Sequence, residues 1–405
     1  MDKQKRQVRF LIYGAGFLRA AGVGLLGVLF AVTLSLGGLH PAQIGILVAV
    51  GIAGNAFGTF FVSFWADRLG RRNTLMVLAG CSSAGGVGLI LFPGFLPLVF
   101  VCFFGMVNAF GRERGSLYTL EQAILPGMVD DQHRTRALAW YNVILDAGLA
   151  VGSLLGGLPV FLRQNAGFSE ISSYQAAFFF YMVMGLLSLL LYSRMSSCAE
   201  IHEPAGWHNI SPVSKKVITR ISLLFGLDSF GGGFLPGTLL AYWFFKKFGL
   251  HEKDLAMLFF LAHVANAFSY PAAAWLSRRI GLVKTMVFTH IPSHCCLLAL
   301  PFVPTAAAAV ALFLVRECLV EMDLPTRQSY VMAVVDPSER TAAAGVTNLT
   351  RLAAWAVSPT LAGFAIGSLG LSFPLFFGGG IKIIYDLALF NSFRHIKPPE
   401  EMGKQ

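Results

Sequence analysis

The chain has 405 residues, 55% of them hydrophobic and 13% charged, with a formal net charge of +10 and a mean hydropathy of +0.65. That balance excludes a soluble domain, and the length excludes a protein held by only one or two membrane spans. The positive charge is spread among the segments between apolar runs, not gathered in one soluble domain, which excludes a nucleic-acid partner.

In chain order, Met1 to Arg9 form a short basic start. The apolar run behind it is too long for the core of a cleaved signal, so it reads as a first span that is retained. About 20 apolar residues cross a bilayer. Marking each run of that length and separating the runs at their Pro, Gly and charge clusters predicts twelve spans, at 10–35, 42–65, 74–93, 97–125, 137–162, 174–194, 217–245, 253–276, 285–303, 305–334, 342–368 and 372–392. The longest interruption, 195–216, holds Glu200, His202, Glu203, Pro204, Trp207, Lys215 and Lys216. It divides the chain into an N-terminal six-helix bundle, 1–194, and a C-terminal one, 217–405, joined by a cytoplasmic central loop. Of the 31 Lys and Arg residues, 20 fall in termini and loops placed inside, against Arg163, Lys246, Lys247 and Lys253 outside. This asymmetry places both termini in the cytoplasm. The six cysteines show no C-x-x-C spacing and read as packing residues.

Between the second and third runs lies Trp65-Ala-Asp-Arg-Leu-Gly-Arg-Arg-Asn-Thr74, a short, basic, glycine-broken turn of the kind held on the cytoplasmic side. It resembles the loop 2-3 motif of the major facilitator superfamily, G-x-x-x-D-R-x-G-R-[RK], with Asp67, Arg68, Gly70, Arg71 and Arg72 where the motif has them. The two halves also read as repeats. At an offset of 211, Asn55-Ala-Phe57 falls on Asn266-Ala-Phe268, Gly70 on Gly281 and Thr74 on Thr285. At an offset of 206, Gln122 falls on Gln328, Arg134 on Arg340, Asn142 on Asn348 and Gly157 on Gly363. The resemblance covers essentially the whole chain. It implies an all-α membrane protein with twelve transmembrane helices in two pseudo-symmetric bundles. It also implies that the first, fourth, seventh and tenth spans line a cavity in which solute binds near midplane.

An ionisable side chain inside a span faces a cavity or a partner. Arg19, in the first span, and Asp228, in the seventh, stand near register and are expected to pair across the pseudo-twofold axis in at least one conformation. The fourth span carries Gly111-Arg112-Glu113-Arg114-Gly115, and the tenth carries Arg316, Glu317, Glu321, Asp323 and Arg327. Glu121 falls on Arg327 at the 206 offset, so these two are expected to form a cytoplasmic gate together with Asp67, Arg68, Arg71 and Arg72. The expected solute-binding set is Arg19, Asn55, Arg112, Asp228, Asn266 and Arg351, and the proton carriers are Asp228 and Asp146. The run Asp146-Ala-Gly-Leu-Ala-Val-Gly-Ser-Leu-Leu-Gly-Gly157 resembles the antiporter motif of the family's drug:H+ antiporters, and Ser358-Pro-Thr-Leu-Ala-Gly363 repeats it.

His290 and His294 have a ligand-compatible spacing, but a peripheral ninth span favours packing, and no metal or cofactor is expected. His263, nearer the cavity, is a secondary candidate. No phosphate-binding loop and no nucleophile with its base recommends an enzyme. The reading is a secondary active transporter of a small solute, driven by protons and exporting a small organic or toxic compound. Uptake of a small organic anion is the alternative, and short loops disfavour a non-transporting receptor. Its setting is the cell membrane, its partners are solute, protons and lipid bilayer, and it is expected as a monomer.

Overall fold

A computed structural model describes residues 3–113, 115–129, 134–196, 212–323, 326–327 and 340–393, and all of its regular structure is helical. The helices are α1 Lys3–Leu36, α2 Pro41–Leu69, α3 Arg71–Leu91, α4 Phe95–Phe104, α5 Ser116–Ile124, α6 Arg134–Leu155, α7 Leu158–Ala166, α8 Glu170–Ser193, α9 Pro212–Gly233, α10 Gly237–Phe248, α11 Glu252–Ile280, α12 Leu282–Ala299, α13 Ala306–Val320, α14 Arg340–Leu369 and α15 Phe373–Phe393. Among the described residues, ten helical segments are long and apolar enough to cross a membrane. Large apolar side chains such as Phe100, Phe268 and Phe302 stay exposed, which suits lipid tails and not water.

The expected fourth and tenth spans do not run as single helices. α4 has ten residues and stops at Phe104, and an irregular stretch, described over 105–113 and at 115, separates it from α5. Met106 and Gly111 there have φ of 47° and 81°, outside what a continuing helix allows. The Asn108 side chain bridges the break, donating to the Arg112 carbonyl at 2.9 Å and accepting from the Phe110 amide at 3.1 Å. α13 likewise ends in a turn at Glu321 and Met322, and the rest of the expected tenth span lies largely outside the described residues. The seventh span is α9 followed by α10, separated around Pro236, whose ring cannot continue the hydrogen-bond ladder.

The loop motif and its repeat share one backbone solution. Gly70 and Gly281 both adopt positive φ, 89° and 93°, between α2 and α3 and between α11 and α12. That conformation is open to glycine and strained for other residues. Thr74 and Thr285 each send their hydroxyl back to that glycine's carbonyl, at 2.9 and 2.8 Å. The 211 offset read from the sequence is therefore a repeat of conformation as well as of residue type.

The chain forms two compact units, Met1–Pro204 with Pro236–His263, and Ala205–Leu235 with Val264–Gln405. In the first, α1 packs on α6 and α8 around Val8, Ile12, Tyr141 and Leu145, and also on α10. A Cβ at Gly152 would stand 1.8 Å from the Ala21 carbonyl oxygen, and one at Gly24 2.3 Å from that of Leu149. The antiporter-like run of the fifth span thus supplies a glycine where α6 touches the backbone of α1. Residues 236–263 join this unit although the sequence division at 195–216 assigns them to the second half. The Gly237 amide donates to the Phe110 carbonyl at 2.9 Å, and Arg163 pairs with Glu252 at 2.9 Å. In the second unit, α9 packs on α14 and α15, and α12 on α13 and α15, around Ile221, Phe225, Met286, Leu389 and Phe393.

Candidate functional site

In the first unit, a helix of glycines, alanines and aliphatics carries one cation inward: Arg19 on α1, 7% exposed. Its guanidinium donates to Glu121 of α5 at 2.5 Å and to the Tyr192 hydroxyl at 3.0 Å, with Glu113 at 3.7 Å. Glu121 is fully buried and also accepts from the hydroxyls of Tyr141 on α6 and Tyr192 on α8. A buried carboxylate needs this many donors, because desolvation without them is heavily unfavourable. Beside the cluster lies a small pocket whose lining includes Arg19, Asn55, Ser82, Asn108, Glu113 and Tyr181. Asn55 on α2 spends its amide on the carbonyls of Gly51 and Met106, at 3.0 and 2.8 Å, and so ties α2 to the irregular stretch. Irregular backbone at membrane depth survives where it is buried in protein or lines a cavity, as this stretch does.

In the second unit the sign is reversed. Asp228 on α9, 4% exposed, accepts from Arg327 at 3.0 Å and from Lys382 of α15 at 2.5 Å. Arg327 also reaches Asp323 at 3.0 Å. Arg351 of α14 donates to the Ser229 hydroxyl at 3.1 Å, and its guanidinium lies 4.9 Å from the Trp355 ring centroid. Asn266 of α11 donates to Glu317 at 3.1 Å, and Glu317 also holds Arg316. Between α12 and α15, His290 Nδ1 lies 2.9 Å from Asp386, with His294 beside it.

The expected residues thus fall into two clusters. In this structure Arg19 pairs with Glu121 and Arg327 with Asp228, each inside its own unit. The reason is proximity along the bundle: α1 meets α5 through Arg19, and α9 meets the segment after α13 through Arg327. Arg112 is half-buried in the irregular stretch, and Asp146 is half-buried on α6. In the loop motif, Arg71 donates to the Ala123 carbonyl at 3.4 Å and Arg72 to the Ser193 carbonyl, while Arg68 is exposed. The Asp67 side chain lies outside the described residues. His263 is buried on α11.

Sequence reasoning did not single out Lys382, although a lysine inside the run 372–392 is the signal that exposes a charge within a span. Tyr141 and Tyr192 had no such signal, because tyrosine is unremarkable in a membrane helix and only the fold aims these two at Glu121.

The family model of the Major Facilitator Superfamily matches residues 12–359. An uncharacterized membrane protein of Saccharomyces cerevisiae is 21% identical over 413 residues, spanning 94% of this chain and 92% of the yeast protein. Among solved structures, a bacterial homologue of the human lysosomal transporter Spinster, in an inward-facing and occupied conformation, aligns with a TM-score of 0.76 at 14% identity over 97% of this chain and 98% of that one. A D-xylose–proton symporter aligns with a TM-score of 0.74 at 14% identity over the full length of both.

Proposed function

The chain belongs to the major facilitator superfamily, and from that premise we propose that it is a proton-coupled secondary transporter that exports a small organic or toxic compound by alternating access. The proposal includes twelve spans in two six-helix bundles, a monomer, and the cell membrane with both termini cytoplasmic. The observation that carries it is the pair of buried ion pairs, Arg19 with Glu121 and Asp228 with Arg327, on equivalent spans of the two repeats. A buried pair of this kind holds two helices together until one member is neutralised or claimed by another charge. A proton on Asp228 releases Arg327 and Lys382, and a solute that offers an anion or acceptor to Arg19 competes with Glu121. Either event changes which helices attract each other, which is what a carrier needs in order to couple binding to access.

In this reading Arg19, Asn55, Arg112, Asp228, Asn266 and Arg351 contact solute, with Asp228 first and Asp146 second as proton carriers. Asp67, Arg68, Arg71 and Arg72 tether the cytoplasmic loop, while Glu121 and Arg327 act in gating through the partners described above. The family resemblance of the fifth-span run supports export. Uptake of a small organic anion is the second reading, favoured by Arg19 lining the cavity beside the amides of Asn55 and Asn108.

The test is purified protein in proteoliposomes with an imposed pH gradient, assayed over a panel of organic cations, neutral compounds and anions in both gradient directions. Solute moving against the proton flow, with gradient-driven flux lost in Asp228→Asn, supports exchange export. Anions moving with the protons support the second reading. Movement that ignores the gradient rules out proton coupling.

A further inference from the structure

We propose that His290, His294 and Asp386 form a binding site for a divalent transition-metal ion of the zinc class, which clips α12 to α15 inside the second unit. The i, i+4 spacing puts both imidazoles on one face of α12, and Asp386 approaches that face from α15. One donor atom from each of the three residues lies within 4.8 Å of the others. The residues are 2%, 0% and 0% exposed. His290 Nδ1 is 2.9 Å from one carboxylate oxygen, and His294 Nε2 is 3.8 Å from the other.

The cluster is polar beyond what its own contacts satisfy. Among the described residues, both ring nitrogens of His294 and one oxygen of Asp386 have no hydrogen-bond partner, nor does the hydroxyl of Ser293 on the same face. Buried polar atoms are rarely left so. Nearby cations are committed elsewhere: Lys382, one turn before Asp386, gives its ammonium to Asp228 at 2.5 Å, and Arg316 pairs with Glu317. An ion would use these idle lone pairs and offset the carboxylate's negative charge.

Donor chemistry selects the class of ion. Two imidazoles and one carboxylate suit zinc, cobalt or ferrous iron, whereas calcium and magnesium require shells of oxygen. Ligands about 2.0–2.1 Å from a tetrahedral ion stand about 3.3 Å apart, so modest side-chain rotation closes the set and leaves a fourth position for water. Cys295 is exposed and takes no part.

The experiment uses the full chain in detergent, stripped with a chelator and titrated with Co²⁺ as a visible probe, with Zn²⁺ as competitor and metal counted per chain after gel filtration. The expected result is one Co²⁺ per chain in a tetrahedral site, displaced by Zn²⁺. Zn²⁺ should raise the melting temperature of the unsubstituted protein. Losing a supporting contact to a ligand already costs about 10–100-fold in affinity, so Asp386→Asn and His294→Gln should each weaken binding by at least that much. Gel-filtration profiles establish that each variant is folded. If Asp386→Asn yields no monodisperse protein, the near-isosteric His294→Gln carries the test. No Co²⁺ bound by the unsubstituted chain overturns the site. So does binding that persists in His294→Gln and disappears in Cys295→Ser with Cys296→Ser, which would assign the metal to thiols.

Discussion

The two buried ion pairs stand at nearly matching positions of the sequence repeats, with opposite sign. Arg19 and Asp228 are 209 positions apart, and Glu121 and Arg327 are 206 apart, close to the offsets that align the repeats. The first unit puts its cation on the opening span and its acid on the fourth; the second unit does the reverse. Their surroundings differ too. Among the described residues, Arg19 serves both buried acids of its cluster, Glu121 and Glu113, and the remaining donors to Glu121 are neutral tyrosine hydroxyls. Asp228 has two cations, and Arg327 has two acids. A repeat can therefore keep a buried pair in place while its polarity and its redundancy change.

The largest expected effect comes from removing the element without a substitute. Arg19→Ala leaves Glu121 and Glu113 buried without their cation, and breaking a buried pair by removing one partner costs about 3–5 kcal/mol. Folded yield and melting temperature should fall sharply, and Glu121→Gln should fall less, because the tyrosines can still hydrogen-bond the amide. The double variant Arg19→Ala with Glu121→Gln should recover stability relative to Arg19→Ala, with a coupling energy of about 0.5–3 kcal/mol for residues in contact. Additive losses across this cycle would show that the two side chains do not act as a pair.

Much of this was legible in the sequence, and the limits have physical causes. Charge within an apolar run is costly wherever it occurs, so Arg19, Asp228, Glu121 and Arg327 announce themselves. Hydropathy reports depth and not azimuth, so it could not say that each charge turns to a helix of its own unit. The glycine at 70 was legible as a turn because its φ of 89° needs that residue, and the echo at 281 followed. The break after α4 is hard to read from the sequence, since charges such as Arg112 and Glu113 inside a long apolar run read equally as cavity-facing residues of a continuous helix. Asp386 had its signal as an acid in the last run, but its meeting with His290 depends on how α12 and α15 pack.

An intermediate effect sharpens the contrast in redundancy. Lys382→Met removes one of two cations from Asp228 and leaves Arg327 in place at 3.0 Å. A hydrogen bond to a charged group contributes about 1.5–3 kcal/mol, so the loss should be smaller than for Arg19→Ala. Thermal stability of the purified variants in one detergent checks the order. A Lys382→Met loss equal to or larger than that of Arg19→Ala would show that the lysine, not Arg327, is the main partner of Asp228, and would remove the symmetry between the units.

The smallest expected effect isolates the neutral donors that set the first unit apart. The Tyr141 ring stacks between Tyr13 and Tyr118, with centroids 6.3 and 5.9 Å away and interplanar angles of 24° and 20°. Tyr141→Phe keeps that stack and removes the hydroxyl that donates to Glu121 and accepts from Arg19 at 3.4 Å. Glu121 retains Arg19 at 2.5 Å and Tyr192 at 2.8 Å, so the expected loss is about 1 kcal/mol, the net contribution of one hydrogen bond. Removing Tyr192 in the same way withdraws the acceptor that Arg19 meets at 3.0 Å, a closer contact than the 3.4 Å to the Tyr141 hydroxyl, so Tyr192→Phe should destabilise more than Tyr141→Phe. Equal melting temperatures for the two phenylalanine variants would mean that the tyrosines serve Glu121 alone. The guanidinium would then be held by its carboxylate without their help, and the cage around the first pair would reduce to a single salt bridge.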